Sequence, residues 1–229
     1  MNAFEFLFQL TLPPPTLERF LATFALIPAR YFGVASPASI LGYLPFVSDM
    51  FLHGEWLHLI LNMWTLWMFG HAVEDRRGTV RFVIIYLAAV IAAFFVHAIV
   101  NTHSAGPALG ATGVIAGVIG CYAWMFPSAQ RVMIVPIIFV PILIKMPAIG
   151  FAFFWMMSHI ISGIMTLMML TDGGGIAGWA HMGGFIVVWI LAPLVKRPAR
   201  SYCRYYGDEG FYRFFPRASR MKGGSQWIY

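Results

Sequence analysis

The sequence is poor in charged residues and in cysteine, and both shortages exclude classes of protein. Charged side chains make up 10% of the 229 residues, whereas a soluble globular domain carries about 25%. The two cysteines, Cys121 and Cys203, lie far apart in the chain. They predict neither a disulfide framework nor a cysteine metal site. We therefore expect no cofactor and no metal.

Hydrophobic residues account for 60% of the chain and gather in runs that approach the length of a bilayer span. A transmembrane helix needs about 20 consecutive, mainly apolar residues. The sequence therefore predicts an all-α, polytopic membrane protein that forms a bundle of six transmembrane helices. Basic residues in such proteins report topology, so the net charge of +6 is no sign of nucleic-acid binding.

The predicted spans follow one another between proline, glycine and charged turns. The first, residues 1–12, is half length, because ten helical residues reach only about 15 Å before Pro13 ends the helix. An amphipathic segment, residues 16–27, and a long semi-buried loop, residues 28–50, come next. The other predicted spans cover residues 51–70, 81–100, 112–127, 147–170 and 176–195, with a charged loop at 74–78.

The basic residues after position 70 flank one side of the predicted bundle. They are Arg76, Arg77, Arg81, Arg131, Lys145, Lys196, Arg197 and Arg200. The loop at 101–109, on the other side, has no lysine or arginine. By the positive-inside rule the basic side is cytoplasmic, and a cytoplasmic tail, residues 201–229, follows a transmembrane domain, residues 1–200. We expect a multi-pass protein of a bacterial inner or plasma membrane.

One apolar segment combines small residues with a hydroxyl. Gly110, Gly113, Gly117 and Gly120 have a 3-4-3 spacing, which aligns them on one helix face and lets another helix approach closely. Thr112 stands among them, at the predicted outer end of the fourth span. Polar groups at membrane depth are costly and functional by default, so Thr112 is a candidate site residue.

Two further polar motifs fall at the same outer level. His58 and Asn62 are four residues apart, so they share one face of the second span and can point hydrogen-bond donors the same way. His181 lies on the sixth span beside small residues. A hydroxyl, an imidazole base and oxyanion donors are the groups that acyl transfer requires. The candidate catalytic residues are thus Thr112, His181, His58, Asn62 and Gly110.

These motifs resemble the rhomboid family of intramembrane serine peptidases. Family members have His-x-x-x-Asn on the second helix, Gly-x-Ser-Gly at the start of the fourth and Ala-His-x-x-Gly on the sixth. The matching stretches are His58…Asn62, Gly110-Ala111-Thr112-Gly113 and Ala180-His181-Met182-Gly183-Gly184. The resemblance implies a six-helix bundle with a dyad at Thr112 and His181. It also implies an oxyanion site formed by His58, Asn62 and the backbone N–H of Thr112.

The sequence departs from the family pattern at the nucleophile, where Thr112 replaces serine. Its β-methyl restricts χ1, and an internal threonine lacks the α-amine that usually activates a threonine nucleophile. Ala116 stands where some members have an aromatic ring that stacks on the base. Val188 stands where many members have a glycine. We expect impaired cleavage. The alternatives are an active endopeptidase with a Thr112/His181 dyad and a pseudoenzyme that holds substrate helices.

Structural roles are open for the same residues. Thr112 can bond a carbonyl of its own helix, and His181 and Asn62 can join helices by hydrogen bonds worth about 0.6 kcal/mol each. His97 and His159 also lie in spans, and we interpret them as core histidines with satisfied hydrogen bonds rather than as haem or pigment ligands. His53, His71 and His103 lie near the predicted interfaces and indicate nothing specific.

The tail is dense in aromatic side chains, which disordered segments lack. These are Tyr202, Tyr205, Tyr206, Phe211, Tyr212, Phe214, Phe215, Trp227 and Tyr229. Aromatic residues and arginine are favoured in interface cores. We therefore expect a binding or assembly subunit of a larger membrane complex, with the tail contacting a transmembrane partner. A basic and aromatic strip on anionic lipid headgroups is the alternative.

Overall fold

The computed structural model describes residues 1–32, 39–137, 140–168 and 178–195, with the backbone alone at 130–137, 140–144, 166 and 167. The described chain is mainly helical, as the sequence predicted. Its helices are α1 Asn2–Thr11, α2 Pro14–Phe24, α3 Ala29–Phe32, α4 Pro45–Ser48, α5 Trp56–Arg77, α6 Thr79–Val100, α7 Thr112–Met125, α8 Ala148–Met168 and α9 Gly178–Leu191. The strands are β1 Gln130–Ile137 and β2 Val140–Pro147, and 3-10 turns occur at Ile40–Tyr43 and Asp49–Phe51.

The last five predicted spans correspond to α5 through α9. By length and composition, α6 and the Ala148–Met165 part of α8 could each cross a membrane. In contrast, α7 and α9 are apolar but have 14 residues each. They reach about 21 Å at the helical rise, which is less than a hydrocarbon core of ~30 Å. Thr112 therefore lies below one membrane surface when the far end of α7 reaches the other.

Some boundaries differ from the prediction. Residues 74–78, predicted as a loop, instead complete α5 through Arg77. Gly78 then ends the helix with a φ of 83°, which glycine adopts without strain. At its other end α5 begins at Trp56 rather than at residue 51, because Glu55 is extended. Residues 130–146, which have no predicted element, form an antiparallel hairpin together with Pro147, which lies opposite Gln130.

Arg77 joins the ends of three helices. Arg77 is 1% exposed, and its guanidinium donates to the carbonyl oxygens of Ala192, at 2.7 Å, and Val195, just beyond α9. Its Nε lies 3.3 Å from the sulfur of Met125 at the end of α7. A cation at the carbonyl end of a helix is favourable, because it meets the negative end of the helix dipole. These contacts bring together the carboxyl-terminal ends of α5, α7 and α9, which the sequence predicted to lie on the same side of the membrane.

Helix α9 packs between α6 and α7 with its backbone close to theirs. A Cβ on Gly184 would collide with the carbonyl oxygen of Gly113 on α7. A Cβ on Gly183 would lie 2.6 Å from the carbonyl oxygen of Ala92 on α6. The hydrophobic effect does not drive helices together inside a bilayer, because the lipid tails are as apolar as the side chains. Close van der Waals contact between small residues therefore helps to hold such bundles together.

The predicted glycine seam is confirmed for three of its four members. Gly113, Gly117 and Gly120 all face α9. Gly110 does not, because it precedes the helix with a φ of 114°. Val188 of α9 is fully buried, and its Cγ2 lies 2.9 Å from where a Cβ on Gly117 would be. The valine therefore fits because residue 117 is a glycine.

A buried carboxyl anchors the segment before α5 to the loop that leads into α7. Asp49 is fully buried, and its Oδ1 accepts a hydrogen bond from the Leu26 N–H at 3.1 Å. The Leu26 carbonyl accepts from the Ala108 N–H at 2.9 Å, and the Asp49 carbonyl accepts from the Gly110 N–H at 3.4 Å. Three segments that are distant in sequence are thus tied together next to Thr112.

Burial raises the pKa of Asp49 well above its ordinary value of 3.8, and the Leu26 hydrogen bond opposes this shift only in part. Its Oδ2 has no hydrogen-bond partner within the described part of the chain. A carboxyl with a raised pKa keeps its proton in the folded state at pH values where the unfolded chain has released it. Its contribution to stability therefore falls as the pH rises from the unfolded towards the folded pKa.

We expect Gly184→Ala to destabilise the bundle, because the new methyl meets the Gly113 carbonyl and α9 must move away from α7. A loss of about 2 kcal/mol corresponds to a Tm lower by roughly 4–8 °C for a chain of this size, measured by thermal denaturation in detergent. Gly150→Ala is the matched control, since its Cβ would lie 3.5 Å from Pro147, an ordinary contact. Equal Tm values for the two variants would contradict the close packing.

We expect Asp49→Asn to become increasingly more stable than the wild type as the pH rises above about 4. The asparagine keeps the acceptor for Leu26 and has no proton to lose. The difference in unfolding free energy should grow by up to about 1.4 kcal/mol per pH unit until the folded pKa is reached. Thermal denaturation across pH measures it, and comparing two proteins cancels every other titrating group. A pH-independent difference would mean that Asp49 ionises normally.

Candidate active site

Thr112 is the first residue of α7, the most enclosed helix of the bundle. Every residue from Gly113 to Ala123 is buried, while Thr112 itself is only partly buried. Ala111, at the N-cap position, forms no side-chain capping hydrogen bond. The start of an α-helix carries N–H groups without intrahelical partners, so this end of α7 suits a developing negative charge.

His181 lies on the part of α9 that packs against the start of α7. Its side chain is 2% exposed. The carbonyl oxygen of Ala180 would lie 3.0 Å from a Cβ on Gly113. The residues next to His181 and Thr112 in the sequence are therefore in backbone contact, which puts the two side chains on adjoining turns of two helices.

His58 packs directly on Gly110. A Cβ on Gly110 would lie 2.7 Å from Cε1 and 3.1 Å from Nε2 of the His58 ring. The positive φ of Gly110 disfavours a side chain as well. Glycine is needed here for both reasons, and the His58 imidazole comes to lie beside the loop that ends at Thr112.

His53, which the sequence did not single out, contacts both His58 and Asn62, the two candidate residues of α5. It is 1% exposed, its Nδ1 lies 3.1 Å from the Phe51 carbonyl oxygen, and its Nε2 lies 3.2 Å from Nδ2 of Asn62. A carbonyl oxygen only accepts, so Nδ1 carries the proton and Nε2 accepts from Asn62. Burial lowers the pKa of His53 to about 4, which keeps this neutral tautomer at pH 7.

His58 and Asn62 share a face of α5, as predicted, and both face His53. The rings of His53 and His58 meet edge to face with centroids 5.4 Å apart. An asparagine amide has two N–H groups. His53 accepts from one of them. No periodicity could have identified His53, because it lies in an irregular segment where spacing does not fix the direction of a side chain.

Rings from α8 cover His181. The His159 imidazole stacks on it with centroids 3.9 Å apart and an interplanar angle of 12°. Trp155 lies 4.2 Å from His159 and meets His181 edge to face at 5.5 Å. The sequence indicated that Ala116 supplies no ring to the base, and the structure shows that α8 does.

Other residues considered in the sequence lie away from the candidate site or outside the described chain. His97 is buried on α6 beside Asn101 rather than with the candidate residues. Within the described ranges, no group of three or more His, Cys, Asp or Glu side chains could hold a metal ion. Residues 196–229 lie outside the described residues, so the domain boundary at 200 and the role of the aromatic tail stay predictions.

Comparison with known proteins gives the family. The Rhomboid domain matches residues 42–198. The yeast protein "Rhomboid protein 1, mitochondrial" is 33% identical over 125 residues, which is 53% of this chain and 34% of its own. "Presenilin-associated rhomboid-like protein A, mitochondrial" of zebrafish is 27% identical over 186 residues, 77% of this chain and 42% of its own. The mouse "Presenilin-associated rhomboid-like protein, mitochondrial" is 29% identical over 171 residues, which is 71% of this chain and 41% of its own.

These relatives contradict the expected bacterial inner or plasma membrane, because all three are named as mitochondrial proteins. The prediction is wrong because hydropathy identifies membrane helices in any bilayer. The distribution of basic residues, in turn, reports which side a loop occupies and not which membrane holds the protein.

The matched region contains all five candidate residues, and the bundle has the helices that the motifs require. The chain spans about two fifths or less of the length of these relatives. The match covers more than half of the chain itself, and the chain therefore belongs to the rhomboid family of membrane proteins.

Proposed function

We propose that this chain has a rhomboid peptidase-type site that is assembled but cleaves slowly or not at all, because Thr112 occupies the position of the nucleophile. The backbone contact between the start of α7 and the His181 turn of α9 is the observation that supports this. Together with His58 on Gly110, it gathers a hydroxyl, an imidazole and hydrogen-bond donors at one level of the bundle.

In this proposal the substrate is a transmembrane helix of another protein, cut near one membrane surface. The Thr112 Oγ attacks the scissile carbonyl carbon while His181 takes the Oγ proton, which it later gives to the leaving amine. His58, the second N–H of Asn62 and the N–H groups at the start of α7 stabilise the oxyanion. Water then hydrolyses the acyl-enzyme by the same steps.

The packing explains why a methyl group at residue 112 would be harmful. A Cβ on Gly113 would lie only 2.5 Å from the Cβ of Ala93 and 3.0 Å from the Ala180 carbonyl oxygen. The start of α7 therefore has no room to shift and accommodate the methyl group of Thr112. A misplacement of about 1 Å can lower a rate ~100-fold.

The same chain could act as a fixed subunit of a membrane complex through residues 201–229. Its aromatic composition favours this role, since tyrosine and tryptophan are enriched at interface cores. The named relatives favour a mitochondrial membrane as its location. The partner would be an integral membrane protein rather than a nucleic acid.

We expect Thr112→Ser to react with a fluorophosphonate probe about 100-fold faster than the wild type, as measured by gel fluorescence. The added substitution His181→Ala should abolish the gain. Thr79→Ser, the same change at the first residue of α6, is the matched control and should have no effect. Equally fast labelling of the wild type would show an active threonine peptidase, and no labelling of Thr112→Ser would refute an assembled site.

We expect the purified protein to migrate in a complex larger than a monomer in native gels, and deletion of residues 201–229 to release the monomer. Replacing the nine tail aromatics with serine should also release it. Replacing the tail's basic residues, Arg204, Arg213, Arg217, Arg220 and Lys222, with glutamine should not. Release by the basic replacements alone would contradict a contact made by the aromatic rings. Unchanged migration after deletion would rule out the tail as the contact.

A further inference from the structure

We propose that His159 is a positioning residue for His181: its ring, braced by Trp155, fixes the plane of the His181 imidazole and supports the imidazolium that forms when His181 takes a proton. The inference rests on the proposed function of His181 as a base. His159 acts through His181 and is not itself a catalytic residue.

The stack has the geometry of a specific contact. The two imidazoles are nearly parallel, at 12°, with centroids 3.9 Å apart, and offset-stacked rings are attractive beyond the area they bury. Trp155 lies one helical turn before His159 on α8 and approaches its ring to 4.2 Å. Because residues four apart share a helix face, one helix supplies both the ring and its support.

The contact also has a chemical consequence. A base in a hydroxyl-imidazole dyad becomes a cation in the transition state, and the face of a neutral aromatic ring attracts a cation. His159 offers its face to His181, and the Trp155 ring lies 5.5 Å from His181 at an angle of 68°. The stacked His159 ring favours the charged form of His181 over a leucine in the same place, and both rings limit the rotation of His181.

The backbone on the same side is equally close. A Cβ on Gly178, at the start of α9, would lie 2.6 Å from the His159 carbonyl oxygen, and one on Gly163 would lie 3.4 Å from the Trp179 ring. The turn of α8 that carries His159 is therefore fixed against the turn of α9 that precedes His181. The stack follows from this packing and does not depend on the rotamer of one exposed side chain.

The test uses the full chain with Thr112→Ser as the parent. His159→Leu should lower the maximal rate of fluorophosphonate labelling by about 3- to 10-fold with little change in the half-saturating probe concentration. His159→Phe keeps an aromatic ring and should stay within about twofold of the parent. His71→Leu removes an exposed histidine of α5 and is the matched control, with no expected effect.

A second readout does not depend on labelling by the probe. The 15N resonances of His181 in the wild-type protein, assigned by their loss in His181→Gln, should move in His159→Leu and move much less in His159→Phe. Unchanged resonances and an unchanged labelling rate in His159→Leu would overturn the proposal. If Thr112→Ser is not labelled, the proposed function fails, and the resonances alone then decide on the stack.

His159→Leu could also fail to fold, which a Tm measurement detects. Trp155→Leu then replaces it, because this variant keeps His159 and removes its support. We expect the His181 resonances to move in this variant too. Resonances that do not move in a folded Trp155→Leu, together with unchanged labelling, would overturn the proposal in the same way.

Discussion

The approach of α9 to α6 and α7 is the constraint on which the rest of the structure depends. Gly184 faces the Gly113 carbonyl, and Gly183 faces that of Ala92, with no room for a side chain. A membrane bundle has no hydrophobic effect between its helices, so contact of this kind provides most of the attraction. The same contact brings the His181 turn against the start of α7. Packing and site are thus produced by the same glycines.

The polar residues of the site are held by groups that are themselves buried. Asp49 ties the segment before α5 to the loop at Ala108 and Gly110. His53 accepts a hydrogen bond from Asn62, and burial keeps His53 in the neutral tautomer that can do so at neutral pH. Catalytic geometry must be fixed to within a fraction of an ångström, and supporting residues of this kind provide that rigidity.

Helix α8 contributes to the site in a different way from α7 and α9. It packs less extensively than they do, and it presents several large apolar side chains outward, among them Phe153, Phe154 and Met165. Its inward face nevertheless carries Trp155 and His159, which cover His181. An imidazole can therefore be supported by a neighbouring helix, even though Ala116 on α7 has no ring to offer.

Four features could be predicted from the residues alone: the family, the order of the helices, the glycine seam of α7 and the shared face of His58 and Asn62. These features depend on spacing within one helix, and the helical period alone relates spacing to direction. Sequence patterns could not show that Gly110 lies outside the seam, that His53 links His58 to Asn62, or that His159 stacks on His181. These contacts depend on the folded bundle, because each joins residues on separate segments whose relative placement depends on how closely the helices pack.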